Sequence, residues 1–158
     1  MTQRRRYAEG TTVSTDRSRT EIEQLLVRYG ATAFGYAWER DTNVISFKLN
    51  DRHVRIFLPM PLPDDPAITQ SATGKKRNLS SQQSAHDQEV RRRWRALVLI
   101  VKAKLEAVES GITTLEREFL SDIVMPNNQT VGQWIAPQLE AAYQDGRMPP
   151  LLPGPRDD

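Results

Sequence analysis

The chain has 158 residues, a hydrophobic fraction of 38%, a charged fraction of 27% and a net charge of +2, which suits one domain that buries a core without staples. It has no cysteine and only two histidines, His53 and His86, so disulfides, thiol chemistry and thiolate metal sites are excluded, and neither a metal nor a cofactor is expected. No apolar run approaches the roughly 18 residues of a membrane span, and the N-terminus MTQRRRYAEG lacks the apolar core of a signal peptide, so the expectation is a cytoplasmic protein that does not engage membranes.

Residues 1–17 carry Arg4, Arg5 and Arg6 followed by small polar residues, and read as a flexible basic arm. Ser18 and Glu21 have the spacing of a capping box. Ile22, Leu25, Leu26 and Tyr29 then recur with the period of one buried helix face, and Gly30 supplies a left-handed stop. From Ala31 the period becomes two. Phe34, Tyr36 and Trp38 mark a first strand, and Arg40 to Asn43 a polar turn; Ile45, Phe47 and Leu49 mark a second strand, and Val54, Ile56 and Leu58 a third. Asn50 and Asp51 tolerate positive φ and fit a two-residue hairpin loop.

Pro59, Pro61, Pro63 and Pro66 open a Ser- and Gln-rich stretch, 59–86, that includes Lys75, Lys76 and Arg77 and has no apolar period. It reads as an extended or disordered linker. A long helix is expected from about Asp87 to Ser110, with Val90, Trp94, Leu97, Val101, Leu105 and Val108 on one face and Gly111 after it. Thr113 and Glu116 suggest a capped short helix carrying Leu115, Phe119 and Ile123. Thr130 starts a last helix with Trp134, Ile135, Leu139 and Tyr143, which Pro137 must kink or split and Gly146 ends. Residues 147–158 form a proline-rich tail. The predicted class is α+β: a helix and three-stranded antiparallel meander over 18–58, followed by a basic helix and two shorter helices over 87–146 that pack on the sheet.

The sharpest feature is Arg91-Arg92-Arg93-Trp94-Arg95. At the start of a helix these cations would oppose the local dipole. Asp87 and Glu89, at i, i+4 spacing, could neutralise Arg91 and Arg93, leaving Arg92 and Arg95 unpaired. Solvated salt bridges account for many such runs; the alternative is a face that binds polyanions. Arg91, Arg92, Arg95, Lys75, Lys76, Arg77, Arg4, Arg5 and Arg6 are therefore the candidate binding residues for phosphates or for an acidic partner. The row Phe34, Tyr36 and Trp38 is either core or a base-stacking platform, which solvent exposure decides.

Catalytic motifs are missing. Gly74-Lys75 lacks the earlier glycine of a phosphate-binding loop, since Thr69 stands there, and neither G-x-S-x-G nor H-E-x-x-H occurs. His53 on the third strand is the one conceivable general base. A non-enzymatic protein is the expectation.

Helix, three antiparallel strands and a closing basic helix resemble in outline the double-stranded RNA-binding domain, but the long 59–86 segment departs from that family's short loop. The segments Tyr7 to Val13, Arg28 to Ala31, Arg52 to Pro61, Arg91 to Gly111 and Thr130 to Trp134 resemble a group of small proteins found in bacteriophage and prophage genomes. That resemblance implies a viral context within a bacterial host, where small proteins commonly handle nucleic acid or bind and block a host factor such as a nuclease or an antiviral defence complex. It carries over no functional residue.

Overall fold

The computed structural model describes residues 3–39 and 41–148, with side chains from residue 15 onward. The helices are α1 (Gln3–Arg28), α2 (Pro66–Thr69), α3 (Leu79–Glu109), α4 (Leu115–Glu118) and α5 (Val131–Asp145). The strands are β1 (Ala33–Glu39), β2 (Thr42–Leu49) and β3 (Arg52–Pro59), in sheet order β1-β2-β3. Both strand pairs are antiparallel. The fold is α+β, with the N-terminal helix, meander, long helix and shorter C-terminal helices that the sequence periods predict.

The meander follows from its alternation. Leu49 pairs with Arg52, so Asn50 and Asp51 are the two loop residues, at φ 48° and 60°, as a type I′ turn requires. Ile45, Phe47, Leu49 and Val54 point to one face of the sheet, where Ile22, Leu25 and Leu26 of α1 and Trp94, Leu97, Val98, Val101 and Leu105 of α3 cover them. Leu115 and Phe119 close the core, with Phe119 edge-on to Phe47 at 5.7 Å between ring centres. Tyr29 donates to Glu106 and Arg95 reaches Glu21, so α1 and α3 run side by side in the same direction.

Four expectations are corrected. The first helix starts at Gln3, not Ser18. Ser18 is an interior, buried helix residue, because no proline interrupts 3–28 and a helix already fixed on the sheet propagates upstream more easily than it nucleates. The basic arm is thus helical from Gln3 onward.

Second, the stretch 59–86 is ordered. Asp65 caps α2 by accepting from the Ala67 N–H at 2.8 Å, Pro66 occupies its first turn, and Ile68 is buried. Gln70 bridges Lys76 around a turn, and His86 hydrogen-bonds the Pro61 carbonyl at 3.0 Å. Polar caps and a single buried isoleucine give no apolar period to read.

Third, α3 begins at Leu79, eight positions before Asp87, with Asn78 accepting from the Ser81 N–H at 2.8 Å as its N-cap. Fourth, the short helix is capped by Thr114 rather than Thr113 and ends at Glu118; Ile123 leaves it to bridge Val54 on the outer edge of β3. Pro137 lies inside α5 without dividing it. Thr130 and Gln133 form that helix's capping box, and Gly146 stops it at φ 64°. The tail from residue 149 lies outside the described residues.

Candidate nucleic-acid interface

The long helix positions the arginine cluster. Trp94, Leu97, Val98 and Val101 turn α3 onto the core, which leaves Arg91, Arg92 and Arg95 on its solvent side. Arg91 stands roughly 20 Å beyond Asn78 along the axis, at 1.5 Å per residue. The dipole of a helix end fades within one turn, so these arginines are not at an electrostatically opposed end. The early start of α3 removes the dipole conflict expected from the sequence.

Their pairing also differs from expectation. Glu89 accepts from Arg92 at both carboxylate oxygens, at 2.7 and 2.8 Å, and from Arg93 at 2.9 Å. The Arg92 hydrogen bonds, aided by those of Arg93 and opposed by partial burial, bring the Glu89 carboxyl down to about 2. Arg93 also donates to the Pro59 carbonyl at 2.7 Å, tying the end of β3 to the helix. Arg95 approaches Glu21 at 3.4 Å. Asp87 does not reach Arg91. It is buried, accepts from Gln83 at 3.0 Å, and keeps its second carboxylate oxygen unpartnered. Arg91 therefore has no acidic partner among the described residues, and four arginines face only Glu89 and Glu21.

Lys75 and Lys76 are exposed on the turn that precedes α3. Its backbone is fixed by the Ser71 N–H donating to the Lys75 carbonyl at 2.8 Å. Neither ammonium has an ion-pair partner among the described residues. Arg77 differs: its guanidinium donates to the Ala67 and Ile68 carbonyls at 3.1 and 3.2 Å, which makes it part of the segment's architecture. The side chains of Arg4, Arg5 and Arg6 lie outside the described ones. The structure thus places Lys75 and Lys76 ahead of the α3 cap, and Arg91, Arg92 and Arg95 farther along the same helix. Spread over roughly 20 Å of helix axis, they do not meet in one pocket.

The aromatic row divides. Phe34 and Tyr36 pack against the core, Tyr36 lies 5.9 Å from the Trp94 ring and donates to Asn43 at 2.8 Å, and Trp38 is 72% exposed. Phe34 and Tyr36 are partly buried against the core, so the three aromatics do not present one open stacking row. His53 lies on the uncovered face opposite Lys48 and two positions from Arg55. Burial, then Arg55 and Lys48, hold its imidazole below its ordinary value. It borders an open groove with Arg52, Val124 and Asn128, and no carboxylate is hydrogen-bonded to it among the described residues. Nor do those residues contain a group of three or more His, Asp or Glu side chains that could hold a metal ion.

Sequence reasoning missed Asn78, whose capping preference was the available signal, and the outer edge of β1, uncovered among the described residues, which no local pattern reveals. No protein-family model, no curated protein and no solved structure matches this chain.

Proposed function

We propose that the protein is a non-enzymatic, phage-type nucleic-acid-binding accessory protein that contacts phosphates with low sequence specificity. The observation that carries this reading is the excess of cations over carboxylates on the exposed side of α3, with Arg91 lacking an acidic partner among the described residues and Arg92 and Arg93 sharing Glu89. Lys75 and Lys76, exposed ahead of the helix start, add two further cations. Exposed ion pairs contribute little to stability, so Arg92 and Arg95 can exchange their carboxylates for phosphates. Arg77 is withdrawn from the binding set because backbone carbonyls occupy it.

Binding of fluorescent single- and double-stranded DNA and RNA at about 50 mM salt tests this. Affinity should fall linearly with salt on logarithmic axes. Arg91→Ala should lower it uniformly across sequences and reduce the salt slope by about one. Lack of binding to all four nucleic acids rejects the reading. The alternative, a protein-binding inhibitor of a host factor, is favoured by one observation: the large apolar surface of Trp38, exposed at the sheet edge.

A further inference from the structure

The two edges of the sheet are treated differently. The outer edge of β3 is covered, since Ile123 bridges Val54 and the Val124 N–H donates to the His53 carbonyl at 2.8 Å. The outer edge of β1 has no such cover among the described residues. In the β1–β2 hairpin, Glu39 pairs with Thr42, and the register runs back to Ala33 with Lys48. With a two-residue loop, the odd-numbered residues of β1 direct their N–H and C=O groups to β2, and Phe34, Tyr36 and Trp38 direct theirs outward. Natural edges are blunted by proline, lysine or a bulge. The strand AFGYAWE has neither residue, and its register has no bulge.

We infer that β1 is a homodimer interface, pairing antiparallel with β1 of a second copy about a two-fold axis through Tyr36. The sequence of the strand is self-complementary in that register. Phe34 lies opposite the partner copy's Trp38, so the exposed indole gains an aromatic neighbour, and Tyr36 meets its own counterpart. On the other face Gly35 lies opposite Ala37, and no bulky side chain opposes another. Glu39 lies opposite Ala33, whose neighbour on β2 is Lys48. Glu39 and Lys48 have no ion-pair partner among the described residues, and in the dimer they stand two strand spacings apart, roughly 10 Å. Their side chains span that gap together. The two-fold axis keeps both helical layers on one side and yields a continuous six-stranded sheet with closed symmetry.

The absence of cysteine makes the register directly testable. Ala33→Cys combined with Glu39→Cys places thiols on facing, non-hydrogen-bonded positions of the two copies, within disulfide reach. Mild oxidation should give a covalent dimer. Each single substitution should not, because like positions are roughly 20 Å apart in this register. Sedimentation of the unmodified protein should give twice the monomer mass, and Trp38→Lys, at an exposed site, should return it to monomer with an unchanged far-ultraviolet circular dichroism spectrum. A monomer at every concentration, a dimer that Trp38→Lys leaves intact, or equal cross-linking by the single variants overturns the inference. So does capture of a different protein on the edge while the chain alone stays monomeric.

Discussion

Glu89 organises the arginine cluster. Its carboxyl is held near 2 by Arg92 and Arg93, below the ordinary value of 4.5, so the unfolded chain takes up its proton first as pH falls. The stabilisation is complete above about pH 4.5 and is lost as pH drops toward 2. Glu89→Gln should therefore be less stable than the parent at pH 7, with a gap in urea midpoint that closes by about pH 2. A gap that stays constant with pH contradicts the assignment. The same substitution removes the carboxylate that holds Arg92, so it should tighten nucleic-acid binding at low salt; weaker binding would count against the phosphate reading. The sequence placed Glu89 correctly against Arg93 but not against Arg92. An i, i+3 partner is as reachable as an i, i+4 one, and only the inward turn of Asp87 decides which carboxylate remains available.

At the level of elements, the sequence shows what is periodic. The three strands, the Asn50-Asp51 hairpin and the buried face of α3 were legible because apolar spacing and turn chemistry agree there. Residues 79–86 were not, since Leu79 itself is 84% exposed and the segment is helical through its Asn78 cap and its contacts with 59–68. Asn78→Ala should then cost about 1 kcal/mol and speed amide exchange between residues 79 and 86 more than in the rest of α3. Uniform exchange along the helix would place its support elsewhere. The last helix rests on a close approach: a Cβ added at Gly132 would lie 2.9 Å from the Ser121 carbonyl oxygen. Gly132→Ala, normally favourable within a helix, should here lower the melting temperature. A rise would show that α5 is not held against the turn at Leu120–Asp122.

For the whole molecule, net charge says little and its placement says more. A balance of +2 would not single out a polyanion binder, yet among the described residues only Glu89 and Glu21 reach the four arginines of α3, and Asp87 is withdrawn into the interior. That distribution could not be read from the sequence, in which Asp87 and Glu89 look equivalent. The sheet is likewise asymmetric, closed by Ile123 at one edge and, among the described residues, uncovered along β1 at the other. If both surfaces act, a dimer joined at β1 would present two α3 helices and double its phosphate contacts, which would steepen the salt dependence.

The most direct measurement is the salt dependence of binding to a nucleic-acid duplex by the parent protein, by Arg91→Ala and by a variant with Lys75 and Lys76 both changed to alanine. The account predicts measurable binding at about 50 mM salt that falls steeply toward 200 mM, with each variant weaker and shallower in slope than the parent. Binding that is absent, or that is indifferent to salt and to all three substitutions, would contradict it.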